Sequence, residues 1–332
     1  MQSTKREQAV IYQVNPDHEP VLRVKPGETF RVETNDHMNQ ELYNKCIEQG
    51  KRHISFTREE FSPIRMTPMQ ANPVIGPIYI EGAQPGDLLA VHIEDIIPGA
   101  QGTCALLEHL GVLAGRMDWP DVQGNQVWLF DNKPGPGGTT SDGTAEVEID
   151  GRRFSWKLNP HIGTILTCPS PGRGMPETLT TQNSWGGNVD VRDVCKGNTV
   201  YLNCYNEGGL LYLGDIHAAQ GDSELIGAAI ETWADVILNV EVVKNKTIPG
   251  VMRIETPDSI IQIDSNTHAG SHKDAMNAAY IGLMRWMIED YGFTQAQAYV
   301  HMSTNSNVKG HIYQFVDGFF VCGVEISKES LN

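Results

Sequence analysis

Lys25-Pro26-Gly27-Glu28 runs into Phe30 and Val32, Gln84-Pro85-Gly86-Asp87 into Leu89, Val91 and Ile93, and Lys196-Gly197-Asn198 into Val200, Leu202 and Cys204. Each stretch is a glycine-containing turn followed by apolar residues at alternate positions, the pattern of a chain that reverses and then enters a half-buried strand. In the first two, proline presets φ at the second turn position. In all three, glycine accepts a conformation that other residues resist, so each signal is local and does not require gene duplication. The repeated pattern predicts a mainly β (α+β) protein with β-sandwich-like antiparallel sheets.

The rest of the chain agrees. The 33 glycines and 18 prolines among 332 residues favour turns over long helices. In 225–243 the start is ambiguous, but Val236, Leu238, Val240 and Val242 then alternate, so the run is read as two strands. The turn-rich segments 133–144 and 170–187 are loops. The main flanking helix is predicted near 272–291. There Met276, Ala279, Tyr280, Leu283, Trp286 and Met287 recur at three- and four-residue spacing, with Ser271 and Asp274 as a capping pair and Gly292 at the end. Thr294 with Gln297 opens a shorter helix to about Met302, and strand character returns from Phe315 to Ile326. A single domain over 1–332 is expected, open to division into sub-lobes of about 1–150 and 151–332.

A formal charge of -16, with no cluster of Lys and Arg, excludes nucleic acid as the expected partner. The six cysteines, Cys46, Cys104, Cys168, Cys195, Cys204 and Cys322, form no C-x-x-C pair and are expected to be reduced structural thiols. No apolar signal core opens the sequence and no run is long enough for a membrane helix, so the expected location is the cytoplasm, with no membrane partner.

Chemistry concentrates in 214–224, G-D-I-H-A-A-Q-G-D-S-E, where Asp215, His217, Gln220, Asp222 and Glu224 can bind a cation or move a proton. Asp215 and His217, at i and i+2 of a strand, share a face and could bind one metal together. Asp222 and Glu224 repeat that spacing and could hold a second cation or supply a general base. A polar surface loop would read the same way.

Asn188 and Asp190, behind Gly186-Gly187, could bring an amide and a carboxylate to the same pocket. His161 is a third candidate ligand. Glu81, next to Ile80, would serve proton transfer if buried and be ordinary if exposed; Asp36 is a weaker candidate. The G-x-S-x-G, P-loop and H-E-x-x-H motifs are absent. Cys168, close in sequence to His161, is the remaining nucleophile candidate.

Four motifs in order, G-P-I-Y-I-E-G-A-Q-P-G-D at 76–87, P-H-I-G-T-I at 160–165, G-G-N-V-D-V-R-D at 186–193 and the 214–224 segment, make the sequence resemble the acetamidase/formamidase family. Weaker likeness over 34–40 and 274–326 extends this over nearly the whole chain. The resemblance implies hydrolysis of a small neutral aliphatic amide to a carboxylate and ammonia, divalent-metal dependence, a largely β fold with flanking helices, and a homo-oligomer, a dimer or higher. It points to Glu81, His161, Asn188, Asp190, Asp215, His217, Gln220, Asp222 and Glu224. The sequence departs from the family pattern at Thr167-Cys168-Pro169 and over 305–309, which bears on substrate identity.

On this reading His161, Asp190, Asp215 and His217 hold the metal, zinc first and calcium as the alternative. Glu224, Asp222 or Glu81 handles the proton, and Asn188 and Gln220 orient the substrate, with Glu81 assisting. Two rivals remain at this stage: a thiol amidase using Cys168 with His161 as base, and a non-catalytic calcium-binding β-sandwich module.

Overall fold

All three predicted turns deliver strands to the same sheet, as Thr29–Glu33, Leu88–Pro98 and Thr199–Asn203. Their glycines, Gly27, Gly86 and Gly197, take φ of 78°, 88° and 87°, conformations a Cβ would strain. The computed structural model describes residues 1–60, 70–108, 110–113 and 115–331.

Leu88–Pro98 is flanked by Thr199–Asn203 on one side and Ala234–Val243 on the other, within a nine-stranded sheet that ends in the hairpin Val308–Val316 and Phe319–Ser327. A second, twelve-stranded sheet is centred on Leu211–His217, which pairs with His161–Thr167, Glu231–Thr232 and Val74–Ile80. Pairing is antiparallel except at two short edges.

The two sheets pack face to face. Val32, Leu89, Val91, Val200, Val236 and Val240 of the first meet Ile75, Ile162, Ile165, Leu211, Leu213 and Ile216 of the second in one buried core. Each such side chain removed from water contributes about 1.5–3 kcal/mol.

The main helix, His272–Tyr291, closes the outer face of the first sheet with Ala279, Leu283, Trp286 and Met287 against Ile260, Phe320, Val324 and Ile326. As expected, Ser271 Oγ accepts from the Asp274 amide and Gly292 ends the helix at φ 73°. Gln295–Thr304 opens on a complete capping box of Thr294 and Gln297.

The segment 170–187, read as a loop, holds a short strand at Gln182–Asn183 and the start of another, Gly186–Asn188, because each pairs with the strand next to it; other readings need amendment too. The strand read over Phe315 to Ile326 is a hairpin that starts at Val308 and turns at Gly318, φ 87°. The run 225–243 does contain two strands, but the first is only Glu231–Thr232. A helix at Glu41–Gln49 went unread, because Gln40 opens it in a left-handed conformation without a side-chain cap. The six cysteines are free, and no helix among the described residues is long and apolar enough to cross a membrane.

Candidate active site

Strand pairing builds the site. His217 is the cross-strand partner of His161 on one side and of Glu231 on the other, and Glu231 in turn faces Thr103. Directly opposed residues in antiparallel strands project to the same face, so the register alone sets four polar side chains in a row. His217 Nε2 lies 3.2 Å from Glu231 Oε2 and 3.6 Å from Asp215 Oδ1. Its Nδ1 lies 2.8 Å from Gln220 Oε1 and 3.2 Å from His161 Nε2.

Two aspartates complete the wall. Asp190 Oδ1 stands 3.9 Å from His217 Nε2, and its other oxygen accepts from Gln314 Nε2. Asp215 Oδ2 accepts from Asn72 Nδ2 at 2.7 Å and lies 3.2 Å from Thr164 Oγ1, which leaves Oδ1 toward His217. Asp190, Asp215 and Glu224 all have positive φ, 48°, 57° and 44°. Such backbones cost non-glycine residues of order 1–3 kcal/mol each and persist where surrounding packing enforces them. Gly163 supplies room beneath: a Cβ there would fall 2.7 Å from Asp190 Oδ1 and 2.8 Å from Asp215 Oδ2.

The electrostatics are those of a dry acidic pocket. Asp190, Asp215, Glu224 and Glu231 are all buried beside one imidazole. Burial, with Glu224 and Asp215 alongside, holds Asp190 well above the usual carboxylate range. Burial likewise raises Glu224, helped by Glu231. For Glu231, burial acts upward, but the imidazoles of His217 and His37 outweigh it and hold this carboxyl low. Burial disfavours the His217 cation, and Glu231 and Asp215 more than compensate, so its pKa stands well above that of a free histidine. His161 is the opposite case, since burial and the neighbouring His217 push it down to about 4.

One donor each from Asp190, His217 and Glu224, and likewise from Asp215, His217 and Glu231, falls within 4.8 Å of the others, so either trio could hold a metal ion. The donor set fits one: Asp190 Oδ1 and Glu231 Oε2 are buried without hydrogen-bond partners, and the Gly163 cradle keeps the space between the aspartates open.

The residues singled out from sequence divide into two groups. Asp190, Asp215, His217 and Glu224 converge, and Gln220 and Asn188 brace them. Gln220 Nε2 donates to the carbonyls of Asp190 and Tyr313, and Asn188 Oδ1 accepts from Thr164 and Asn72. His161 stands behind His217 and outside both trios, with Nδ1 2.9 Å from the Asn159 carbonyl and Nε2 against Gln220 and His217.

Glu81 is exposed, because the strand ends at Ile80 and the chain turns there. Asp222 is exposed as well and pairs with Arg192 at 3.0 Å. Cys168 is buried among Val14, Val74, Leu166 and Tyr212, and burial pushes its thiol up to about 12, the reverse of what a nucleophile needs. Seven residues of extended chain, roughly 20 Å, separate it from His161. Sequence reasoning missed Glu231, His37, Asn72 and Gln314.

Two β-sheets closed over a buried carboxylate and imidazole cluster define the class of protein. Comparison with known proteins makes it particular. The model of the Acetamidase/Formamidase family matches residues 1–173 and 173–326. A formamidase of Methylophilus methylotrophus is 26% identical, covering 70% of this chain and 63% of that protein, so the chain spans less than two thirds of that relative's length. An acetamidase of Mycolicibacterium smegmatis is 25% identical over 88% of this chain and 84% of that one. The crystal structure of an acetamidase from Yersinia enterocolitica superposes with a TM-score of 0.79 at 29% identity, covering 100% of this chain and 93% of that chain. The chain belongs to the acetamidase/formamidase family.

Proposed function

We propose that this protein hydrolyses a small, neutral, linear amide to the carboxylate and ammonia at a divalent-metal centre held by Asp190, Asp215, His217 and Glu231. The observation that carries the reading is a set of four buried carboxylates around one imidazole, with Asp190 Oδ1 lacking a hydrogen-bond partner and Glu231 Oε2 turned toward His217 Nε2 at 3.2 Å. So much buried negative charge calls for a cation. An imidazole among the donors favours zinc over calcium, which takes oxygen ligands. When bound, such an ion supplies Lewis-acid polarisation of the amide carbonyl and lowers the pKa of water.

Glu224 is the general base. Its buried carboxylate takes a proton from the water that attacks the carbonyl carbon, and returns it to the amide nitrogen as the carbon–nitrogen bond breaks. Its raised pKa suits both transfers. Glu81 and Asp222, exposed to solvent, take no part. Gln220 and Asn188 have their side chains committed to protein partners, which supports a bracing role over direct substrate contact. His161, neutral and packed behind His217, orients that imidazole.

The test is ammonia release from a panel of short amides before and after chelation, paired with elemental analysis of the purified protein. Loss of activity on chelation and its return with zinc are expected. Metal-bearing protein that releases no ammonia would leave a non-catalytic binding module. We also propose that the chain acts as one unit and assembles as a homo-oligomer. In support of assembly, Ile281, Tyr299 and Val300 stand exposed on the two C-terminal helices. Sedimentation at micromolar concentration tests it.

A further inference from the structure

Among the described residues, seven buried side-chain polar atoms lack a hydrogen-bond partner, and four of them belong to three neighbours: both ring nitrogens of His37, Glu231 Oε2 and Thr103 Oγ1. Buried polar groups are nearly always paired, so open positions on three neighbouring side chains mark a place that a ligand completes; one ion can take only one His37 nitrogen, Nδ1, the one near Glu231. The three residues are brought together by design of the fold. Thr103 is the cross-strand partner of Glu231, and His37 Nδ1 lies 3.8 Å from Glu231 Oε2.

That distance is too long for a hydrogen bond. It suits two donors on one cation, because atoms each about 2.0–2.2 Å from an ion sit roughly 3–4 Å apart. His37 is also held in place: its carbonyl accepts from the Asn72 amide at 2.7 Å, and the preceding Asp36 side chain ties down the amide of Met38 at 3.1 Å.

We propose that His37, Thr103 and Glu231, which also belongs to the first centre, hold a second divalent cation beside the one assigned to Asp190, Asp215, His217 and Glu231; this rests on the metal-centre reading above. Glu231 Oε1 accepts from the Ala229 amide at 2.8 Å, so only Oε2 remains, and it faces His217 Nε2 on one side and His37 on the other. One oxygen is therefore shared between the two ions. Two closely spaced cations also match a recurrent arrangement for hydrolysis, one holding each side of the reacting centre.

The experiment uses the full chain, stripped with a chelator and reloaded with Mn²⁺, and reads metal per chain by mass spectrometry and coupling between ions by electron paramagnetic resonance. The expected result is two Mn²⁺ per chain with an exchange-coupled spectrum. His37→Ala and His37→Asn should each drop to one, with the six-line spectrum of an isolated ion. The melting temperature of each stripped variant is read beside its metal count: His37→Ala opens a cavity at a buried position, so His37→Asn, which keeps a polar side chain there, separates a lost ligand from a lost fold if it still unfolds cooperatively with one ion fewer. One ion in the wild type, unchanged by both variants, would overturn the second position and leave the single-ion centre standing. No ion in any of the three would overturn both.

Discussion

Gln220 fixes the tautomer of His217. Its Nε2 is spent on the carbonyls of Asp190 and Tyr313, which can only accept, so its Oε1, 2.8 Å from His217 Nδ1, must receive a proton from that nitrogen. His217 Nε2 is thereby turned toward Asp190, Asp215 and Glu231 with the lone pair a metal needs. Gln220→Leu keeps the bulk and removes the acceptor. Zinc affinity measured by titration calorimetry should fall about 10–100-fold, the usual effect of losing such a supporting hydrogen bond. Unchanged affinity would mean that the imidazole is oriented by His161 alone.

Asp190 is fixed by a longer chain of the same kind. Gln182 Nε2 donates to the Asn188 carbonyl at 2.7 Å and to Gln314 Oε1 at 2.6 Å, so the Gln314 amide nitrogen is left to donate to one Asp190 oxygen. Only Oδ1 stays open. Gln314→Glu should be worse than Gln314→Ala, since it sets a fifth carboxylate against Asp190 where the amide had donated. Expected losses in kcat/KM are about tenfold for alanine and more for glutamate, with metal affinity following the same order. Equal effects from the two variants would point to packing and not to orientation.

In the hairpin strand Phe319–Ser327, Glu325 gives a pH dependence that can be signed. Its hydrogen bond with His311, at 2.7 Å, holds its carboxyl at about 2, against burial that acts upward. The folded value lies below the unfolded one, so the stabilisation is complete above the unfolded pKa, about 4.3. It is lost as pH falls from there toward 2. In urea unfolding, the wild type should lose more stability between pH 5 and 3 than Glu325→Gln does, because the variant lacks this one titration while sharing all others. Parallel curves would show that the pair contributes nothing.

Much of the fold was legible because its signals are local. A Pro-Gly turn, a period of two and a capping box act within a few residues, and each predicted strand and helix start rests on one of them. For the candidate site, sequence could gather only donors that lie close along the chain, Asp215, His217 and Glu224 in one run and Asn188 and Asp190 in another. Glu231 sits in E-T-W-A-D-V, a run without a clear period, and becomes a site residue only because a two-residue strand pairs it opposite His217. His37, Asn72 and Gln314 arrive from three distant segments, and no spacing rule joins them. Glu81 shows the converse: its apolar neighbours belong to a strand that stops one residue earlier, which leaves its side chain exposed.

Gly163 offers the sharpest single test of how the centre is packed. It sits in the strand His161–Thr167 with Asp190 on one side and Asp215 on the other, and its carbonyl accepts from the amides of Val189 and Asp190. In Gly163→Ala the new methyl would meet Asp190 Oδ1 at 2.7 Å, the Asp215 carbonyl oxygen at 2.8 Å and Asp215 Oδ2 at 2.8 Å. The carbonyl is backbone and cannot rotate away, so one or both carboxylates must leave their positions. Overpacking of this kind costs about 1–3 kcal/mol. At the same time the methyl occupies space between two proposed ligands. The variant should therefore fold, unfold at lower urea concentration than the wild type, and lose metal by more than its loss of stability would explain. If it binds metal with wild-type stoichiometry and affinity, Asp190 and Asp215 do not hold a common ion.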